Sequence, residues 1–238
     1  MSFRAVITFH SIEDADGPVY YPPQLFVAFL AALERRRLPI VDLDTLLDTA
    51  SGRGVALTFD DGMRSVFAAA LPVLRDHGAP AHLFLATGSV ADGATGHASR
   101  RTQMLDWDAI VALHDAGVAI ESHTHGHGDC RTLSDAEIDD ECATADALIE
   151  RRVGRRPRYF AYPFGYHDRR VRERIGSRYA AAFTTALAPL APGQDRSRLP
   201  RLDAHYLRSP RWYERLDAPA TRSYLMLRRA LRIVRGSE

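Results

Sequence analysis

Two clusters of ionisable side chains and one turn are the parts of this sequence whose residue types could do chemistry. Asp60 and Asp61 are adjacent and are followed by Gly62. Two carboxylates held together away from water raise one another's pKa, and a bound cation removes that cost. Successive side chains of a strand point to opposite faces, so both aspartates serve one site only where the extended backbone breaks, and Gly62 supplies the freedom to turn. The plainer alternative is a solvated acidic turn with one aspartate capping a following helix. The second cluster is His123-Thr124-His125-Gly126-His127. His123 and His127 are four apart, which puts two imidazoles on one side of a turn. With one carboxylate they make a two-nitrogen, one-oxygen set suited to Zn or a similar divalent ion, with positions left for water. In Tyr162-Pro163-Phe164-Gly165 the proline and glycine fix a tight turn whose backbone N–H groups could face an anionic oxygen.

Other parsings compete. His125, His127 and Asp129 also fit the H-x-H-x-D start of the metallo-β-lactamase-type hydrolase motif, but Cys130 stands where the next histidine belongs, and Asp60 and Asp61 would have no role. The aromatic group Tyr159, Phe160, Tyr162, Phe164 and Tyr166 could stack on a sugar ring or simply fill a core. His10 ends an apolar run, and its position alone reads as a turn histidine. Cys130 and Cys142 read as a loop residue and a helix-core residue without reactive roles.

The elements that must position these groups alternate. Strand-like runs are expected at Ala5 to Phe9, Pro39 to Val41, Val55 to Phe59, Ala81 to Leu85, Val118 to Glu121, Tyr159 to Ala161 and Ala180 to Phe183. Between them lie helical patterns from Pro23 to Arg37, from Gly62 through Leu74, from Trp107 to Ala116 with Gly117 closing it, from Ser134 with Glu137 as a capping box, and from Asp168 to Ile175. Repeated β-then-α order argues a parallel sheet, closed as a barrel or open and doubly wound. In a barrel, functional side chains sit where strands end and βα loops begin, which is where all three groups fall.

Composition sets the frame. The 238 residues, 46% hydrophobic and 26% charged, suit an ordinary globular domain. No run approaches the ~20 apolar residues of a membrane span, the N-terminus lacks a signal-peptide core, and two cysteines are too few for a disulfide framework; the expected location is the cytoplasm. No GxGxxG or phosphate-loop pattern is present, and no nucleic-acid partner is expected. The net charge of +1 is unevenly spread, because residues 196–238 hold 11 Arg against 4 acids. Residues 1–210 are expected to form the barrel and 211–238 a basic helical tail. In that tail Arg228, Arg229, Arg232 and Arg235 share one face and Met226, Leu227, Leu231 and Val234 lie opposite. We expect this helix to pack on the barrel with a solvated basic face, with peripheral contact to an anionic membrane as the alternative.

Taken together, Thr58-Phe59-Asp60-Asp61-Gly62, His123-Thr124-x-x-His127 and Phe160-Ala161-Tyr162-Pro163-Phe164-Gly165 resemble the polysaccharide deacetylase (NodB homology) superfamily, carbohydrate esterase family 4, across about residues 5–205. The resemblance implies a distorted, incomplete (β/α) barrel of the seven-stranded TIM-like type. It implies one divalent metal, Zn foremost with Co, Ni or Mn also accepted, on Asp61, His123 and His127. It further implies Asp60 as general base, the Phe164 backbone N–H as oxyanion donor, and substrate contacts at Tyr162, Pro163 and Phe164. The expected activity is removal of an N-acetyl, less readily an O-acetyl, group from a sugar-containing substrate such as a glycan precursor, lipid-linked sugar or amino-sugar metabolite. A related amidohydrolase acting on a formamide or cyclic imide is the alternative. Two departures stand out. Many members carry Arg where this chain has Ala161, so Arg201 is the expected orienter of Asp60. The family's Leu-x-His motif is not matched, since Leu202-Asp203-Ala204-His205 has the wrong spacing. Some members instead carry a histidine after the first strand, which makes His10 the expected general acid.

Overall fold

In the computed structural model, which describes residues 3–48, 52–91 and 103–234, seven strands form one closed, all-parallel barrel in sequence order. They are β1 (Arg4–Phe9), β2 (Gly54–Asp61), β3 (Ala81–Leu85), β4 (Val118–Ser122), β5 (Tyr159–Ala161), β6 (Ala181–Leu187) and β7 (Leu199–Asp203). The helices between and after them are α1 (Pro23–Arg35), α2 (Leu43–Leu47), α3 (Leu71–Asp76), α4 (Trp107–Asp115), α5 (Asp135–Val153), α6 (Arg169–Arg178), α7 (Pro210–Tyr213) and α8 (Pro219–Val234). The expected seven-stranded barrel is found, and β7 closes it against β1 through Ile7↔Leu202 and Thr8↔Asp203.

The strands are near-continuous apolar runs because both faces are covered, by the barrel interior and by helices. In β1 and β2 every residue from Ala5 to Phe9 and from Gly54 to Asp60 is buried. Helix starts follow local side-chain chemistry. Asp42, Asp106 and Asp168 accept the amides of Thr45, Ala109 and Val171. Ser134 and Glu137 form the full capping box, and Gly154 ends α5 at φ 77°.

Two strand assignments change. Residues 39–41 do not enter the barrel: Ile40 makes one isolated bridge to Val55. The seventh strand is β7, whose Pro200, Arg201 and Asp203 hide it from an apolar-run reading, although its side chains are buried as far as Leu202. The helix after Gly62 also starts later than expected. A π-type turn at Val66–Ala70, with Ser65 before it, leads into α3, so neither Asp60 nor Asp61 caps it.

The tail departs from expectation in orientation. Tyr213, Leu216 and Leu225 are buried in the main core, while Arg228 lies 4.8 Å and Arg232 6.0 Å from the Tyr206 ring. Met226, Leu227, Leu231 and Val234 are exposed. The helix therefore does pack on the barrel, but through the arginine side, with the apolar side facing out. Arg235 lies outside the described residues.

Candidate active site

The break in β2 is made by Asp61 itself, at φ 73°, ahead of Gly62 at φ 93°. The Gly62 N–H donates to the Asp60 carbonyl at 2.9 Å, which closes a three-residue turn around Asp61 with a positive-φ centre, a rare and strained form. Asp60 thereby stays directed into the barrel and Asp61 swings toward the β4 loop. Thr124 (φ 65°), His127 (φ 55°) and Phe164 (φ 59°) adopt the same left-handed region. Of the five non-glycine residues with positive φ among the described residues, four surround this site. Such strain persists only where neighbouring contacts over-determine it.

Those contacts are visible at the histidine loop. Glu141, on α5, accepts the His125 N–H at 3.0 Å and the Gly126 N–H at 2.6 Å. The Gly88 N–H donates to the His125 carbonyl at 2.8 Å, and Thr124 Oγ1 accepts the His127 N–H at 2.9 Å. Sequence reading missed Glu141, because its distance from the histidines is set by the tertiary packing of α5 and no local motif marks it.

The clamped loop presents His123 and His127 to Asp61. Their Nε2 atoms lie 3.4 and 3.2 Å from Asp61 Oδ1 and 3.2 Å from each other. Ligands about 2.0–2.1 Å from a tetrahedral ion are separated by edges of about 3.3 Å, so these three atoms have the mutual spacing of three such ligands. His123 Nδ1 lies 2.7 Å from the Ala161 carbonyl. A carbonyl only accepts, so Nδ1 carries a proton and Nε2 is the ring atom presented to Asp61. Asp61 and His127 are partly open to solvent, with side-chain exposures of 29% and 24%, which leaves access for water and substrate. Burial pushes the Asp61 carboxyl up, but His123 and His127 outweigh it and hold the group well below the usual carboxylate range. The residues present therefore fit a divalent metal.

Asp60 is buried beside this group. The Arg201 guanidinium meets it with two parallel bonds, Nη1 to Oδ1 at 2.8 Å and Nη2 to Oδ2 at 2.7 Å, while Arg201 Nε donates to the Thr184 carbonyl at 3.1 Å. Burial raises the Asp60 pKa, yet the charges of Arg201, His123 and His10 overcome it and keep the carboxyl ionised. His10 lies just past β1, and a positive charge there would favour the ionised form of both aspartates.

At the β5 turn, Phe164 is exposed and its ring lies 4.8 Å from that of His127. Gly165 (φ 76°) is required, because a Cβ there would fall 2.1 Å from Thr185 Oγ1. The substrate-contact expectation is corrected for the turn's other members. Tyr162 is fully buried, its hydroxyl donates to the Ser197 carbonyl at 2.8 Å, and Pro163 is buried too. Tyr162 therefore braces the turn, and Tyr159 and Phe160 belong to the core.

The H-x-H-x-D parsing does not assemble. His125 Nδ1 lies 2.9 Å from Thr87 Oγ1, and Asp129 accepts from Arg131. Among the described residues, Asp61, His123 and His127 alone form a group with metal-ligand spacing. Burial pushes the Cys130 thiol up to about 11 and the Cys142 thiol up to about 12, which fits packing rather than reactivity.

Comparison with known proteins identifies the family. Residues 48–179 match the polysaccharide deacetylase family, and the chain belongs to that family. A Bacillus subtilis protein named as a candidate polysaccharide deacetylase, YxkH, is 26% identical over 136 residues, which cover 57% of this chain and 46% of that protein. The chain thus spans less than half the length of that curated relative. Among solved structures, IcaB from Ammonifex degensii superposes with a TM-score of 0.77 at 22% identity, covering 93% of this chain and 98% of that one. The Streptococcus pyogenes deacetylase PplD, in complex with acetate, gives 0.76 at 18% identity, covering 84% and 92%. Both share the fold.

Proposed function

We propose that the protein is a metal-dependent hydrolase that removes an N-acetyl group, or less readily an O-acetyl group, from a sugar-containing substrate. The observation that carries this reading is the convergence of Asp61, His123 and His127 on one point, with Asp60 held as a carboxylate beside them. Zn is the ion we assign first, because the set combines two imidazoles with one carboxylate; Co, Ni or Mn would also satisfy it. Bound there, such an ion lowers the pKa of a water molecule and polarises the acyl carbonyl.

The chain's own residues divide the remaining work. Asp60 keeps lone pairs beyond those taken by Arg201 and accepts a proton from the attacking water. Arg201 fixes the orientation of Asp60. The Phe164 backbone N–H donates to the oxygen that gains charge as the water adds to the carbonyl. His10 donates a proton to the departing amine, so water and amide become acetate and free amine. The exposed Phe164 ring offers a face for the sugar.

Acetate release from N-acetylhexosamine oligomers, measured beside formate release from formamides and ring opening of cyclic imides, tests the assignment. Acetate release abolished by chelation and restored by Zn is expected. Turnover of formamides or imides alone would transfer the same site to the amidohydrolase reading. His10→Ala should lower kcat by about 10²–10⁴-fold with metal retained; turnover near wild type would remove His10 from the mechanism.

A further inference from the structure

Helix α8 is amphipathic in the reverse sense from a helix that simply packs on a domain. Its barrel side is built from Thr221 and Leu225, both buried, and from Arg228 and Arg232 over the Tyr206 ring. Its outward side carries Met226, Leu227, Leu231, Ile233 and Val234, which are 40–85% exposed. Of the nine exposed large hydrophobic side chains among the described residues, these five share one 16-residue helix. A contiguous apolar face of this kind marks an interaction surface.

The charge pattern selects the occupant. Residues Pro219–Val234 include four arginines and no Asp or Glu. A second copy docked across a two-fold axis would bring the arginines of both helices, and so like charges, to one rim. A surface of anionic headgroups over acyl chains meets both features, because it offers apolar depth to the outward face and negative charge to Arg229, which is exposed at the edge of that face. Arginine stems also reach outward from a helix side to headgroup level. No described helix is long and apolar enough to cross a membrane, and at about 24 Å for 16 residues α8 has the length to lie in the headgroup plane.

We propose that α8 is a membrane-surface helix that docks this protein on anionic lipid. Its Arg229 and Ile233 also line a cavity of about 750 Å³ whose wall includes Gly165 and His167, next to the Phe164 turn. A protein docked through α8 therefore holds that cavity beside the bilayer, where the sugar portion of a lipid-anchored substrate would be presented. That last consequence rests on the hydrolase reading; the docking does not.

The test is sedimentation of the full chain with phosphatidylcholine vesicles and with vesicles containing phosphatidylglycerol, at about 50 and about 300 mM salt. Binding to the anionic vesicles at least about tenfold tighter than to the neutral ones, and weaker at the higher salt, is expected. The variant Met226→Gln/Leu227→Gln/Leu231→Gln should lower that binding about tenfold or more with Tm unchanged, since all three side chains are already in water. Absence of binding to anionic vesicles at low salt, or equal binding by the variant, overturns the proposal. A concentration-dependent dimer that the same variant abolishes overturns it in favour of a second copy. Acetate release from soluble oligomers should be unaffected by the variant, so failure of docking and failure of the hydrolase reading are read separately.

Discussion

Strands β1–β4 and strands β5–β7 close one barrel by different means. In the first group the ladders are regular: six consecutive Cα pairs join β1 to β2, and five each join β2 to β3 and β3 to β4. Phe9 there touches Tyr21, Phe26, Phe29 and Phe59 at ring-centroid distances of 5.1–5.8 Å. In the second group one pair, Ser122↔Phe160, joins β4 to β5, two pairs join β7 to β1, and the β6–β7 ladder shifts register. Buried polar contacts do the joining instead. Glu121 of β4 accepts the amides of Arg158 and Tyr159 at 2.7 and 2.9 Å, and Arg201 ties β7 to β2 through Asp60. The candidate site spans this boundary, with its aspartates on β2, its histidines after β4 and its orienting arginine on β7. Stability and chemistry thus meet at the Asp60–Arg201 pair, which crosses from one half to the other.

Arg201→Leu should break the second half most severely. It leaves the Asp60 carboxylate buried without its partner, so unfolding free energy should fall by about 3–5 kcal/mol in denaturant titration, with turnover lost. Adding Asp60→Asn removes the stranded charge and should restore much of the stability with no return of activity. If the double variant is no more stable than the single one, the ion pair does not join the strands as described.

Glu141→Ala tests the clamp that holds His125 and Gly126. Metal retention against a chelator should weaken by about 10–100-fold, with a stability loss of about 1–3 kcal/mol from the two amides left without an acceptor. Glu141→Gln keeps an acceptor oxygen and should recover part of both. The smallest effect belongs to the regular half. Ile7→Val should cost about 0.5–1.5 kcal/mol and leave metal retention and turnover unchanged.

The same division runs through what the sequence disclosed. Strands β1–β4 are apolar, β-branched runs that bury both faces, and their positions are readable from residue types, as are the capped helices α4 and α5. Strand β7 was not readable, because Pro200, Arg201 and Asp203 do not look like a buried strand until Asp60 and Thr184 are there to satisfy Arg201. Ile40 carries the strand pattern locally but finds only Val55 to pair with. The need for a broken backbone at Asp60-Asp61 follows from the two-residue period of a strand, yet the break falls on Asp61 and not on glycine alone. Which face of α8 turns outward is hidden from the sequence for a related reason. Periodicity separates two faces, and only the Tyr206 ring and the core position of Leu225 decide which one meets the barrel.

Metal content per chain for wild type, Asp61→Ala and His125→Ala, purified identically, tests the central claim most directly. One divalent ion per chain in wild type and in His125→Ala, with none in Asp61→Ala, is the predicted result, because Asp61 belongs to the converging set and the His125 ring is turned to Thr87. Loss of the ion in His125→Ala with retention in Asp61→Ala, or no ion in any of the three, would contradict it.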